Sequence, residues 1–213
     1  MADLATVRAR MVERQLRRRG IDDERVLAAM GEVPREAFVP RELRHRAYAD
    51  SALPLAAGQT ISQPWIVAAI CQALALSGDE RVLEVGTGSG YSACVLSLLA
   101  ARVVSIERHE GLALRAREAL ASLAVTNVEL TIGDGSLGVP ERAPFAAIAV
   151  HATAPAPPPA LISQLAPEGR LVIPIGGDEE TDLLTLLRRR GEKIETGGIA
   201  PCRFVPLVGA EGY

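Results

Sequence analysis

Residues 81–91 read R81-V-L-E-V-G-T-G-S-G-Y91. The first five, rich in valine and leucine, suit a short strand buried on both faces. They run directly into glycines at 86, 88 and 90. Glycine accepts left-handed backbone and admits a ligand where a Cβ would block it. The stretch Y91-S-A-C-V-L-S-L-L-A100 then reads as a helix. Strand, glycine turn and helix in this order predict an open α/β sheet. Its ligand would lie beyond the carboxyl ends of the strands, facing the free N–H groups and positive end of the helix.

The pattern continues outward from this turn. RVVSIE (102–107), NVELTI (127–132), FAAIAV (145–150) and RLVIPI (170–175) read as strands. EGLALRAREALASL (110–123) reads as a long amphipathic helix, and PAPPPALISQL (155–165) as prolines leading into a short one. The alternation predicts a doubly wound, mostly parallel sheet with helices on both faces. The tail from Thr181 to Gly209 reads as strands with turns at Gly191 and at Gly197-Gly198, an antiparallel hairpin finishing the sheet.

Upstream, Leu4, Val7, Met11 and Leu16 have roughly helical spacing, with Gly20 as a stop. The arginines at 8, 10, 14, 17, 18 and 19 read as a solvated helix face. A second helix fits 22–30 with Asp22 as its cap. Pro34, Pro40 and Pro54 punctuate an irregular region up to GQTISQPW (58–65). The expected organisation is one domain over 1–213. Residues 1–80 form a helical and loop preface that contributes an active-site segment, and residues 81–213 form the ligand-binding core.

The glycine spacing narrows the ligand. It is G-x-G-x-G, and Tyr91 stands where a dinucleotide fingerprint wants a third small residue. Glu107 ends the second strand of the unit, where a carboxylate can accept both hydroxyls of an adenosine ribose. Asp134, in G133-D-G135, follows the third strand and can accept from an adenine amino group. Glu84 either helps hold a ligand ammonium or caps the loop. An adenosine carrying a short, non-phosphate group fits these positions, and S-adenosylmethionine is the natural candidate.

Composition excludes other classes. Of 213 residues, 48% are hydrophobic and 23% charged, ordinary values for a globular chain. Aromatics at 3% argue against a base-stacking platform, and a net charge of −3 against a polyanion partner, so no nucleic acid is expected. Cys71, Cys94 and Cys202 lie far apart in apolar runs and read as reduced core residues. His45, His109 and His151 are scattered without ligand spacing, so no metal is expected. MADLATVRAR lacks a long apolar core and a cleavage site, and no run approaches the roughly 18 apolar residues of a span. The expectation is a cytoplasmic protein without membrane contact. The absence of a heptad or sustained apolar surface pattern predicts a monomer.

The chain resembles the protein-L-isoaspartate O-methyltransferases along nearly its whole length. The glycine loop, V82-L-E-V-G-T-G-S-G-Y91, is shared by many methyltransferases. More specific are V33-P-R-E-A-F-V-P40 and G58-Q-T-I-S-Q-P64. M11-V-E-R-Q15, S105-I-E-R108, G133-D-G135 and R203-F-V-P-L207 match as well. The resemblance implies methyl transfer from S-adenosylmethionine to the α-carboxylate of isoaspartyl residues in ageing proteins, with S-adenosylhomocysteine as product. The ester then closes to a succinimide unaided, and hydrolysis returns some normal aspartate, hence repair. It also implies a cofactor site of Gly86, Thr87, Gly88, Ser89 and Gly90 with Glu84, Glu107 and Arg108. Asp134 and Gly135 would sit beside them, with Thr60 and Ile61 above. Ser62 is implied at the active centre, orienting the substrate carboxylate or closing the pocket. From the residues alone Ser62 reads as an N-cap for the helix after Pro64, and the two roles are compatible. Phe204, Val205 and Pro206 are implied as the far wall of the peptide groove, an ordinary core strand being the other reading.

The chain departs from the family pattern at several places. Ala146 stands where Asp is usual, and Ser136 and Val139 where tryptophans are common. His151-Ala152-Thr153 replaces Thr-Ala-Ala, and E179-E-T-D182 stands where a glutamine is expected. All of these are expected around one crevice, where they bear on which carboxylates fit. His151 reads as a hydrogen-bonded loop residue. Beside isoaspartyl repair stand two other readings: methylation of a dedicated peptide or small carboxylate, and a cofactor-binding protein without turnover.

Overall fold

The computed structural model describes residues 3–176 and 181–213; Glu179 and Glu180 of the variant acidic stretch therefore lie outside the described residues. The described residues form six α-helices, α1 (Leu4–Met11), α2 (Glu24–Glu32), α3 (Pro64–Leu74), α4 (Tyr91–Ser97), α5 (Glu110–Ser122) and α6 (Pro159–Ser163). Two short strands, β1 (Leu53–Pro54) and β2 (Thr60–Ile61), pair antiparallel as a ribbon in the preface. The main strands are β3 (Arg81–Val85), β4 (Arg102–Glu107), β5 (Val128–Ile132), β6 (Phe145–Val150), β7 (Leu165–Gly176), β8 (Asp182–Arg190) and β9 (Lys193–Cys202). They form one sheet in the order β5-β4-β3-β6-β7-β8-β9. Pairings from β5 to β7 are parallel, and β7-β8-β9 are antiparallel, the expected closing hairpin.

Strand order reverses at β3, which lies between β4 and β6, and ligands of open α/β sheets bind at such a switch point. Register makes the point sharper. Val85 is level with Ile106 on one side and Val150 on the other, so three strands end together. The residues just past that level are Gly86, Glu107 and His151.

Alternation along the strands divides the core in two. Val82, Val103, Ala147 and Val172 face Ile70 and Leu74 of α3, and this cluster takes in Met11, Leu16, Ile21, Met30 and Phe38 of the preface. Leu83, Val104, Ile148 and Leu171 face Phe145 and Leu161 on the other side. The preface is thus part of the larger core cluster.

Several element boundaries differ from the sequence reading. The α2 cap is Asp23, not Asp22: the Asp23 carboxylate accepts from the N–H groups of Arg25 and Val26. Asp22 instead donates its backbone N–H to Gln72. Gly197 and Gly198 form no turn. They lie inside β9 opposite Leu186 and Thr185, where the register shifts, a bulge in place of the expected break. Gly191, at φ 61°, does make its turn. Helix α4 stops at Ser97, β7 begins at Leu165, and α6 covers only five residues. Helix α1 continues through wider and tighter turns to Arg19, and Gly20 at φ 87° ends it as expected. The arginines there are partly neutralised at the surface, Arg17 by Glu24, Arg18 by Glu13 and Arg19 by Asp50. No helix among the described residues is long and apolar enough to cross a membrane.

The cap assignment has a direct test. Asp23→Ala is expected to cost about 1 kcal/mol, read as a lower urea midpoint at unchanged slope. Asp22→Ala, which keeps the backbone bond to Gln72, is expected to leave the midpoint within experimental error.

Candidate active site

A cleft of about 880 Å³, counted with its open mouth, lies at the level ends of β3, β4 and β6. The glycine loop forms its floor. Gly86, Gly88 and Gly90 have φ of 89°, 55° and 89°, a region that L side chains rarely adopt. Gly90 adds a packing reason: a Cβ there would come within 3.2 Å of the Ala116 Cβ on α5. The N–H groups of Gly86, Gly88, Gly90 and Tyr91 are all bonded within the protein, to Ile106, Glu107, Thr87 and Ser89. A phosphate cradle needs such groups free. The loop therefore shapes space for an uncharged edge of a ligand.

Glu107 is 5% exposed and faces the cleft. Its Oε2 accepts the Gly88 N–H at 2.8 Å and its Oε1 the His109 N–H at 2.9 Å. Each carboxylate oxygen retains a lone pair, so the group can still accept a pair of hydroxyls. Arg108 and His109 line the same side.

The preface forms the roof. The β1-β2 ribbon pairs Leu53 with Ile61 and Pro54 with Thr60, which carries Thr60, Ile61 and Ser62 over the cleft. A Cβ on Gly88 would sit 3.9 Å from Leu55 and 4.0 Å from the Thr60 carbonyl, so roof and floor are close. Ile61 is buried and anchors the ribbon, which explains an apolar residue between two hydroxyls. Ser62 does not cap α3. Gln63 holds the N-cap position without a side-chain bond, and Pro64 at the first turn removes one N–H that would need a partner. The Ser62 hydroxyl makes no hydrogen bond among the described residues.

The far wall is Val205, Pro206, Leu207 and Val208; Phe204 is half-buried and does not line the cleft. This segment is not a core strand. It touches the exit of β6 through a single bridge, Thr153 to Pro206, and through Asp182, which accepts both the Thr153 hydroxyl and the Phe204 N–H.

Gly86, Thr87, Gly88, Ser89 and Gly135 line the cleft, whereas Gly90, Asp134 and Glu84 do not. The Asp134 carboxylate binds the Ser136 N–H and hydroxyl and the Ala210 N–H, tying the C-terminal segment to the G-D-G turn. Burial pushes this carboxyl up, but those bonds and the Arg108 charge outweigh it and hold it below its usual range.

Glu84 is fully buried. The Ser105 hydroxyl donates to its Oε2 at 2.5 Å, and the Thr87 hydroxyl lies 2.5 Å from Ser105. Its Oε1 has no hydrogen-bond partner among the described residues. That oxygen is 3.5 Å from Nε2 of His151, which is 2.8 Å from the Ser92 hydroxyl. Burial pushes Glu84 up to about 8, with the Ser105 and Ser92 hydroxyls working against it. Burial takes His151 down to about 4. Both shifts favour the uncharged forms, a protonated carboxyl and a neutral imidazole.

Of the departures from the family pattern, only His151 and its neighbour Ala152 line the cleft. Ser136 and Val139 are buried beneath the G-D-G turn, and Ala146 sits at the opposite end of β6. The expectation that all of them surround one crevice is therefore corrected. Sequence reasoning missed Gln59, Ser92 and His109 on the cleft wall. It also missed Arg35, fully buried, with no hydrogen-bond partner for Nη1 or Nη2 among the described residues and its guanidinium 4.8 Å from the ring of Tyr91, a wall residue. Nothing in local spacing announces a contact between residues 35 and 91.

Comparison with known proteins agrees with this geometry. A model of the family "Protein-L-isoaspartate(D-aspartate) O-methyltransferase" matches residues 7–212. A protein-L-isoaspartate O-methyltransferase of Methylorubrum populi is 55% identical over 215 residues, covering all of both chains. One of Methanoculleus marisnigri is 52% identical, over 97% of this chain and 93% of its own. A solved protein-L-isoaspartate O-methyltransferase superposes with a TM-score of 0.85 at 28% identity, over 96% of this chain and 67% of its own. A Plasmodium falciparum chain assigned to the same enzymes, crystallised with S-adenosyl-L-homocysteine, superposes with a TM-score of 0.81 at 26% identity, over 94% and 98%. The cleft, its glycine floor and its roof therefore sit in a chain that belongs to the protein-L-isoaspartate(D-aspartate) O-methyltransferase family.

Proposed function

We propose that this chain transfers a methyl group from S-adenosylmethionine to the α-carboxylate of L-isoaspartyl residues in proteins or peptides. The observation that carries the reading is one cleft with a glycine floor, a buried carboxylate at Glu107 facing it and a roof built from Thr60 to Ser62. Three unpaired cysteines support a place in the cytoplasm.

When bound, S-adenosylmethionine supplies a methyl carbon on a sulfonium, a leaving group that an ionised carboxylate can displace. Gly86 to Gly88 would bear its adenosyl edge, and Glu107 would accept from the ribose hydroxyls. Thr60 and Ile61 would close over it. The acceptor carboxylate, with a reference pKa near 4, is ionised at neutral pH and asks for no general base. The chain's task is to align it and to keep water out. Ser62, with a free hydroxyl at the mouth, would hold the carboxylate. Val205 to Leu207 would support the peptide. Ile61, Val85 and Ile106 make the inner walls apolar, so the nucleophile sheds solvent as it enters.

Two experiments test this. With labelled S-adenosylmethionine and matched peptides containing isoaspartate or aspartate, label is expected only in the isoaspartyl peptide as a base-labile ester. Cofactor binding without transfer to either peptide overturns the reading, and transfer to some other carboxylate alone makes the chain a dedicated methyltransferase. Ser62→Ala is expected to lower kcat at least ten-fold while changing S-adenosylhomocysteine affinity less than three-fold, the pattern of a lost positioning bond of about 1.5 kcal/mol. Wild-type values for both would remove Ser62 from the site.

A further inference from the structure

His151 is the one residue of the cleft wall at which composition, burial and bonding all call for explanation. One ring nitrogen, Nε2, points at Ser92 and at the free oxygen of Glu84. The other, Nδ1, has no hydrogen-bond partner among the described residues, and the residue itself faces the cleft. The hydroxyls around Glu84 and His151 support one consistent arrangement of protons. Ser105 has a single hydroxyl proton and donates it to Oε2 of Glu84, so Thr87 must donate to Ser105. The carboxyl proton of Glu84 then belongs on Oε1, the oxygen beside His151 and Ser92. The 2.8 Å contact between Ser92 and Nε2 fits either direction of donation. Turning the Glu84 proton and the Ser92 hydroxyl toward the ring makes Nε2 an acceptor and puts the imidazole proton on Nδ1.

We propose that His151 is a positioning residue that presents an Nδ1–H donor to a ligand carboxylate in this cleft, held in that tautomer by Ser92 and Glu84. The inference rests on the methyltransferase reading given above. Two carboxylates would enter the cleft, that of the methionine moiety of the donor and that of the isoaspartyl acceptor. The chemistry is common to both, and the experiment separates them.

The arrangement also predicts a pH response. Glu84 is faced by Ser105 and the Glu107 charge from β4, by Ser92 from α4, by His151 after β6 and by the Cys71 thiol of α3, which burial keeps neutral. As pH rises through about 8 the Oε1 proton leaves. Ser92 then turns its hydroxyl to the carboxylate, Nε2 takes the ring proton in order to donate to Ser92, and Nδ1 becomes a bare acceptor. A carboxylate ligand loses its donor and meets a lone pair. Activity is expected to fall along this limb.

The test uses the full chain. Nitrogen-15 correlation spectra of the histidine rings, with the His151 signals assigned by loss in His151→Asn, are expected to show the Nδ1–H tautomer at pH 7. An Nε2–H tautomer overturns the proposal without any reference to turnover. His151→Ala is expected to lose roughly ten-fold, the order for one bond to a charged group. If the loss is in S-adenosylhomocysteine affinity, the partner is the methionine carboxylate; if it is in kcat/KM for the isoaspartyl peptide alone, the partner is the acceptor. His151→Asn, whose amide can place an N–H where Nδ1 stood, is expected to recover most of it. Unchanged affinity and unchanged kcat/KM in His151→Ala overturn the proposal, as does an asparagine variant as poor as the alanine one at equal thermal stability. In Glu84→Gln the amide donates to Ser92 at every pH, so the fall near pH 8 is expected to vanish whatever the absolute rate. Its persistence assigns the limb to another group and overturns the relay. A wild-type chain that binds S-adenosylhomocysteine with the Nδ1–H tautomer yet methylates no isoaspartyl peptide would count against the substrate reading and leave the donor assignment standing.

Discussion

Glu107 accepts N–H bonds from Gly88 and His109 at the end of β4, so one buried carboxylate fixes both the glycine loop and the start of α5. Three of the loop's residues have left-handed backbone, and the N–H groups of Gly86 and Thr87 are tied to Ile106 and that of Gly90 to Thr87. The position of Glu107 in turn depends on β3 and β4 ending level, which parallel pairing of Val85 with Ile106 enforces. The same carboxylate that would recognise a ribose therefore also builds the floor on which the ribose would lie. Recognition and fold share one side chain, which accounts for an acidic residue at 5% exposure at the rim of an open cleft.

The roof follows a different logic. A strand of two residues has no independent stability. The β1-β2 ribbon stays in place because Leu53 and Ile61 point into the large core cluster that α3 and the preface helices share with the sheet. Ser62 and Thr60 are then carried outward by alternation, one residue on either side of a buried anchor. The preface is in this sense a device for holding three residues above a cleft that the sheet alone would leave open.

Sequence alone made the central sheet legible. Each parallel strand is a short apolar run, each helix has its own period, and RVLEVGTGSGY joins the two at the switch point. Glu107 was legible for the same reason, since a strand end is defined by where hydrophobicity stops. Failures came where position depends on contacts across the chain. Asp22 and Asp23 are equal candidates by composition, and only the entry angle set by Gln72 and Gly20 decides between them. Gly197-Gly198 looks like a turn, but β8 pairs Leu186 and Thr185 with the two glycines, and the strand continues past a bulge at Ile199. Asp134 also accepts the Ala210 N–H, a bond from 76 residues away that local spacing does not show. The departures at Ser136, Val139 and Ala146 flank motifs expected at the ligand, yet in space only His151 and Ala152 reach the cleft wall.

The charge state of Glu84 bears on how an anion can enter at all. The cleft already holds Glu107, and its acceptor is a carboxylate. Two like charges about 8 Å apart repel by about 2 kcal/mol at an effective dielectric constant of about 20. An ionised Glu84 beneath the glycine loop would add a second such repulsion. Ionisation would also leave Oε1 as an unpaired charge in the core, where desolvation costs several kcal/mol. Full burial eases both problems by favouring the protonated carboxyl, with Oε1 3.5 Å from Nε2 of His151. A neutral acid below the floor and a charged one at the rim let the same cleft admit a cationic donor and an anionic acceptor.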